Sequence, residues 1–408
     1  MSDAIVIVSA ARTPMGGFQG DFSSISASEL GAVAVREVVA RAGVSPEVVD
    51  ELVFGNCLMA GQGQAPARQA AIKGGLPTSV NCTTLSKMCG SGMKTIMLGH
   101  DMLKAGSNRV VIAGGMESMT NAPYILPKAR GGYRLGHGEL KDHMFLDGLE
   151  DAYNPGRLMG SYAEDTAAHY SFSRGQQDEF AMTSLARAQA AIKGGRFKAE
   201  IVPVTISGRK GDVLIADDEQ PGKANADKIP QLKPAFRKDG TVTAANSSSI
   251  SDGAAAVLLM RESDARAAGL KPLARILAHA THAQDPAWFT TAPIGAMQKV
   301  LDKTGWTVGD VDLFEINEAF AVVTMAAMRD LGLSHDKVNV HGGACALGHP
   351  IGASGTRIVV SLIYALQQYG KKRGVASLCI GGGEATALAI ELVCLAHFGL
   401  NILSYSLV

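Results

Sequence analysis

Short apolar runs bounded by Gly and Asn recur along the chain: Ala4–Val8, Glu51–Phe54, Arg109–Ala113, Val311–Glu315 and Gly374–Ile380. Stretches with helical spacing of apolar positions lie between them, at Ala27–Ala42, Gly90–Lys104, Thr291–Lys303, Phe320–Leu331 and Gly355–Tyr369. Alternation of this kind predicts a mainly parallel sheet covered by helices, an α/β fold.

The two ends of the chain resemble each other. Asn56 and Asn317 each close a strand pattern and lie 261 residues apart; Cys89 and His349 lie 260 apart, and Gly114 and Gly382 lie 268 apart. The near-constant offset points to two copies of one α/β domain, against chance likeness among Gly-rich turns. Residues 1–120 with 251–272 form the first copy and 273–393 the second. Between them, 121–250 reads as an inserted lobe with one helical run, Ser173–Lys193, and irregular segments at Lys128–Asp147 and Ser207–Asp239. Long loops on a rigid scaffold often bind ligand. Residues 394–408 form an apolar tail, too short to span a bilayer and without an assigned role.

Composition narrows the function. The 408 residues carry 38 Lys plus Arg against 38 Asp plus Glu, and aromatics are 5%. A balanced charge and few aromatics speak against nucleic acid or an anionic membrane as partner. Six cysteines in a chain this long do not read as a disulfide framework, and no secretory or Arg-rich presequence opens it. A reducing cytoplasmic setting follows, where an unpaired cysteine can be catalytic.

Three segments carry candidate chemistry. In Leu85-Ser86-Lys87-Met88-Cys89-Gly90-Ser91-Gly92, an extended stretch meets a helix start near Gly90. A cysteine there would sit over the unpaired N–H groups of the first turn, lowering its pKa; the alternative is a buried structural cysteine. In His341–Gly355, His349 stands in a Gly-rich loop, a candidate general base and oxyanion donor. His341, Cys345 and His349 have a four-residue spacing that would align metal ligands only on a helix, which the glycines and Pro350 deny, so no metal is expected. In Leu378–Glu384, a strand ends at Cys379 before three glycines, with no Lys-Ser/Thr of a phosphate loop. Cys379 reads either as a proton carrier or as a small buried hydrophobe. Asn317 reads as a water-positioning group or a helix N-cap.

Together these segments resemble the thiolase family. Lys87–Lys94 is similar to its nucleophile motif, Asn317-Glu318-Ala319-Phe320 to its Asn-Glu-Ala-Phe motif, and Gly348-His349-Pro350 and Cys379–Gly383 to its His and second Cys motifs. Gly114–Met119 and Asn246–Ala256 are similar to flanking signatures, and the likeness runs over about residues 4–392. The resemblance implies a duplicated fold of two βαβαβαββ-type domains in a layered αβαβα core, plus a CoA-binding loop domain. It implies condensation of two acetyl-CoA to acetoacetyl-CoA plus CoA, and the reverse thiolysis, through an acyl-Cys89. The alternative is a broad-range 3-ketoacyl-CoA thiolase. His349 would help activate the thiol and face the thioester oxygen, Asn317 would hold a water, and Cys379 would move the α-proton. The N–H groups of Cys89 and Gly381 would form a second oxyanion hole. Ser248 would lie near the pantetheine arm, Phe236 near the adenine, and Met159, Ala319 and Phe320 by the acyl site. Lys128–Arg134 and Arg209-Lys210 would attract CoA phosphates. No permanently bound cofactor is implied; the assembly would be a homotetramer and the setting fatty acid metabolism.

The chain departs from the family pattern in two places. Leu158 stands where the acetoacetyl-CoA-specific branch has His, and Glu384-Ala385 where Met-Gly is common. Decarboxylating condensing enzymes of the ketoacyl synthase type share the fold but lack a second cysteine, so Cys379 separates them. A non-catalytic acyl-CoA-binding relative would lack turnover.

Overall fold

The computed structural model describes residues 3–209 and 211–393. A ten-stranded sheet runs through the molecule. Its strands are β1 (Ile5–Arg12), β2 (Gly16–Gly17), β3 (Glu51–Gly55), β4 (Asn81–Leu85), β5 (Val110–Ser118), β6 (Ser251–Arg261), β7 (Ala274–Ala283), β8 (Leu313–Ile316), β9 (Arg373–Ile380) and β10 (Glu384–Leu392). Apart from the short β2, which pairs with β6, the spatial order is β8-β9-β10-β7-β1-β6-β5-β3-β4. The main helices are α1 (Ala27–Ala42), α2 (Pro66–Lys73), α3 (Ser91–Ala105), α4 (Met159–Tyr170), α5 (Arg174–Lys193), α6 (Ala292–Thr304), α7 (Ala321–Leu331) and α8 (Ile351–Gln368).

The two halves repeat one plan. The first runs β1-α1-β3-α2-β4-α3-β5-β6 and the second β7-α6-β8-α7-α8-β9-β10. The counterpart of β4 shrinks to a single bridge between Phe314 and Val338. The halves join where β1 pairs antiparallel with β7, Ile5 opposite Ile276.

The expectation of a mainly parallel sheet is corrected. Only β3–β4, β3–β5 and β8–β9 run parallel; the middle of the sheet is antiparallel. The strands that change the balance, β6, β7 and β10, are rich in Ala, which weakens their apolar signal. Of these, β10 follows β9 through a tight turn with no crossover helix, so the pair runs antiparallel.

Layering follows from which faces are apolar. α1 and α2 cover the outer face of the first half, and α6 with α7 cover that of the second. α3 and α8 lie between the halves. Every residue of α8 from Ile351 to Leu366 is buried, including the polar Ser354, Thr356, Arg357 and Ser361, because the helix is enclosed on all sides between the halves. Each large side chain fully buried there contributes about 1.5–3 kcal/mol. Helix starts follow local chemistry: Ser26 with Glu29, and Ser173 with Gln176, form capping boxes before α1 and α5.

The stretch between β5 and β6 carries α4, α5 and a hairpin, Val204–Gly208 with Gly211–Ile215, so part of the segment read as irregular is strand. Its end is clipped to the second half: Ser248 N–H donates to Ala319 O (2.9 Å) and Ala321 N–H to Asn246 O (2.8 Å). Among the described residues no helix is long and apolar enough to cross a membrane. Residues 394–408 lie outside the described residues.

Candidate active site

A cavity of about 370 Å³ opens where the inserted lobe meets both halves. Cys89, His349 and Gly381 line it, together with Met159, Phe236, Ser248, Ala319 and Phe320. Leu158 and Phe289 add to a largely apolar wall. Asn317 and Cys379 do not line it; both sit behind it, 1% and 0% exposed.

Cys89 stands at a tight elbow between β4 and α3. Met88, just before it, has φ 46°, a left-handed conformation that a non-Gly residue adopts only under constraint. Ser91 supplies that constraint: its hydroxyl donates to Met88 O (2.6 Å) and accepts from Lys87 N–H (2.8 Å). At Gly90 a Cβ would stand 2.3 Å from Ile380 Cδ1, so a larger residue would force the Ile380 side chain at the end of β9 to move. The N–H groups of Gly381 and of Cys89 itself face Sγ. The expected lowering of the thiol pKa is corrected. Cys89 keeps part of its surface open to the cavity, yet burial pushes its thiol up to about 11. Those two N–H groups oppose the shift and Glu117 adds to it. α3 begins only at Ser91, with Gly90 as its cap, so the residue with the most direct claim on the dipole is not Cys89.

His349 is held from behind. Its Nδ1 lies 2.5 Å from Ser354 Oγ, whose hydroxyl donates to Pro350 O (2.8 Å). A serine proton directed at Pro350 leaves Oγ to accept Nδ1–H, which places the lone pair on Nε2. Nε2 has no partner among the described residues. Burial, reinforced by Arg357, lowers the imidazole to about 3, so the ring is neutral at rest. Asn317 Nδ2 lies 3.4 Å from His349 Nδ1, and Arg357 Nη2 lies 3.5 Å from Asn317 Oδ1. Beneath them, Glu315 is pushed up to about 8 by burial, with Arg357 opposing the shift 3.5 Å away.

Cys379 ends β9, and burial followed by the neighbouring Cys89 raises its thiol well above the usual range. It therefore holds its proton at rest. Glu384, the departure just after the triple glycine, forms an ion pair with Lys87 and so ties the Cys379 loop to the Cys89 elbow. The arrangement offers a cysteine thiol open to the cavity, a neutral imidazole with a free nitrogen, backbone donors and a protonated second thiol. That set suits acyl transfer with proton movement.

Family models for the thiolase N-terminal domain and the thiolase C-terminal domain match residues 5–263 and 270–392. The chain belongs to the thiolase family. It is 49% identical to an acetyl-CoA acetyltransferase of Allochromatium vinosum, over 96% of this chain and 100% of that protein. It is 50% identical to one of Pseudomonas aeruginosa, over 95% and 98%. The crystal structure of the Bacillus anthracis acetyl-CoA acetyltransferase superposes with TM-score 0.93 at 42% identity, covering 96% of this chain and 99% of that one. Acat5 thiolase from Ascaris suum in complex with coenzyme A gives 0.91 at 42%, covering 96% and 100%.

In this thiolase, sequence reasoning missed the residues that hold the site from outside. Glu117, fully buried, accepts from Asn56 Nδ2 (2.7 Å) and from the N–H groups of Cys57 (3.0 Å), Leu58 (3.1 Å) and Gly352 (2.9 Å). It thus joins the loop after β3 to the start of α8. Ser354 and Arg357 were missed because helix patterning treats them as ordinary members of α8. Glu117 lay inside a quoted signature, and a carboxylate within an otherwise apolar strand was the available signal. The basic residues proposed for CoA phosphates do not line the cavity: Lys128, Arg130, Arg134 and Arg209 lie on the exposed surface, and Lys210 lies outside the described residues. His341, Cys345 and His349 form no three-ligand group. Among the described residues the only three-ligand group is elsewhere, at His100, Asp101 and His279.

Proposed function

We propose that this thiolase is an acetyl-CoA acetyltransferase, interconverting two acetyl-CoA with acetoacetyl-CoA plus CoA. The observation that carries this reading is the meeting of Cys89, the unpartnered His349 Nε2 and Gly381 at one apolar cavity. In thiolysis, His349 takes the Cys89 proton and the sulfur attacks the 3-keto carbonyl. The oxygen is stabilised by donors around it, and the C2–C3 bond breaks. The departing acetyl-CoA enolate takes the proton of Cys379. CoA thiol then gives its proton to the Cys379 thiolate and attacks acetyl-Cys89. The restored Cys89 thiolate takes back the proton from His349. Condensation runs the same steps in reverse. CoA and acyl-CoA act as substrates, with no resident cofactor. In this reading Ser248 meets the pantetheine arm, Phe236 the adenine end, and Met159, Ala319 and Phe320 the acyl group; all five line the cavity.

The same reading carries a cytoplasmic homotetramer in fatty acid metabolism. The open edge of β4 and the exposed Tyr124, Leu126, Leu135 and Leu140 support contacts between copies. Light scattering should return about four times the 42.5 kDa chain mass; a monomer would reject the assembly.

The test of the activity is thiolysis of acetoacetyl-CoA, followed by loss of its enolate absorbance, beside a longer 3-ketoacyl-CoA. Turnover with preference for acetoacetyl-CoA is expected. Preference for the longer chain would move the assignment to the broad-range enzyme, and a folded protein without turnover would overturn it.

A further inference from the structure

Away from the acyl cavity, three ligating side chains converge at the junction of the two halves. His100 and Asp101 lie on α3, in the first half. His279 lies on β7, in the second, opposite Leu388 of the core between the halves. His279 Nε2 is 3.2 Å from His100 Nδ1 and 3.0 Å from Asp101 Oδ1, and His100 Nδ1 is 3.0 Å from the same oxygen. The imidazole planes stand at 84° with centroids 4.9 Å apart, so the rings meet edge to face and not by stacking.

We propose that His100, Asp101 and His279 bind a divalent first-row cation, Zn²⁺ being the best fit, and that the ion pins α3 to β7. The first argument is size. Zn²⁺ with ligand bonds of about 2.0–2.1 Å holds its ligand atoms about 3.3 Å apart in a tetrahedron. The triangle found, with edges of 3.0 to 3.2 Å, is close to one face of that tetrahedron. The second argument is hydrogen bonding. An inward nitrogen carries at most one proton, which aims along one edge, and an ionised carboxylate carries none. Three mutual contacts in a closed triangle therefore leave an edge with two lone pairs or two hydrogens facing each other. A cation over the face accepts all three lone pairs at once.

The third argument is access. The His100 and His279 side chains are 14% and 16% exposed, while Asp101 is 55% exposed. The site is walled by imidazole and open to water on the carboxylate side, leaving a place for a fourth, water ligand. Lys303 is a like charge acting on His279, and its ammonium donates to His279 O (2.8 Å), outside the triangle. Two histidines and a carboxylate favour Zn²⁺, Co²⁺ or Fe²⁺ over Mg²⁺ or Ca²⁺. None of the three residues lines the acyl cavity, so the ion would act on the join between halves and not on acyl transfer.

The test is calorimetric titration of metal-free protein with ZnCl₂, with Cys89 first alkylated so that its thiol does not compete. One ion per chain with micromolar affinity is expected in the wild type. His279→Ala should weaken binding by at least about a hundredfold while thiolysis by the unalkylated variant stays at the wild-type level. Co²⁺ should give d–d bands without a thiolate charge-transfer band. Zn²⁺ should raise the Tm of the wild type and leave that of the variant in place. Should His279→Ala fold poorly, His100→Ala on the adjoining helix carries the same comparison. Equal Zn²⁺ affinity in wild type and variant, no binding at 100 µM, or a thiolate band with Co²⁺ would each overturn the proposal.

Discussion

The two halves share one order of strands and helices yet present their reactive groups in opposite ways. In the first half, the unit after β4 lifts Cys89 onto a strained elbow that reaches the cavity. In the second, Cys379 at the end of β9 is fully buried, and the loop that corresponds to the Cys89 elbow carries His349. Each half also has its buried carboxylate. Glu117 ties the first half's loop to the second half's α8. Glu318 accepts from Ser184 Oγ (2.7 Å), Asn339 Nδ2 (2.8 Å) and Cys345 N–H (3.0 Å), which fixes the second half to the inserted lobe. The two similar frames differ in what they bring to the cavity: the first presents Cys89, the second presents His349 with Cys379 buried behind it. The difference lies in exposure and partners, not in topology.

The contrast can be broken most forcefully at the sulfurs. Cys89→Ser should lower thiolysis by at least about a thousandfold and abolish acyl-enzyme detectable by intact mass. Wild-type turnover would remove Cys89 from its role. A thiol raised to about 11 is mostly protonated at neutral pH, so its thiolate fraction grows about tenfold per pH unit below that value. Alkylation of Cys89 by iodoacetamide should therefore keep accelerating from pH 7 to pH 10; a plateau near neutrality would reveal a resting thiolate–imidazolium pair instead. Cys379→Ser should slow turnover by about a hundred- to ten-thousandfold yet leave acyl-Cys89 observable, since only proton transfer is touched. Loss of the acyl-enzyme in that variant would erase the division of labour between the two halves.

Smaller effects sharpen the frame. Glu117→Gln sets an NH₂ group against N–H donors and should lower unfolding stability by about 3 kcal/mol in urea titration. An unchanged midpoint would show that the joint between the loop and α8 needs no carboxylate. Lys87→Ala breaks the half-exposed pair with Glu384 and should cost less than about 1 kcal/mol, with a modest change in KM. A large loss of kcat there would mean that the pair sets the distance between the two reactive loops.

Much of this was legible in the chain. Ala27–Ala42 was bounded to the residue, and the offset of 260 between Cys89 and His349 foretold equivalent elbows. Eight of the ten residues assigned to the site line one cavity. The strands that were missed, Ser251–Arg261, Ala274–Ala283 and Glu384–Leu392, are Ala-rich or bulged. Their strand character comes from pairing with distant partners, which a local pattern does not contain. The pKa of Cys89 went the other way for a related reason. Helix position is a local property, whereas desolvation is set by everything that closes over the sulfur.

By itself the sequence determined the alternation of elements, the duplication and the family motifs, because periodicity and motif are written within a few consecutive residues. Only the tertiary structure decided which sulfur reaches the cavity, which imidazole nitrogen is free, and that His100, Asp101 and His279 meet across the two halves. Those properties depend on solvent exclusion and on contacts between distant residues, 179 positions apart for His100 and His279 and 297 for Lys87 and Glu384. Such contacts exist only once the apolar faces of both halves have closed on α3 and α8.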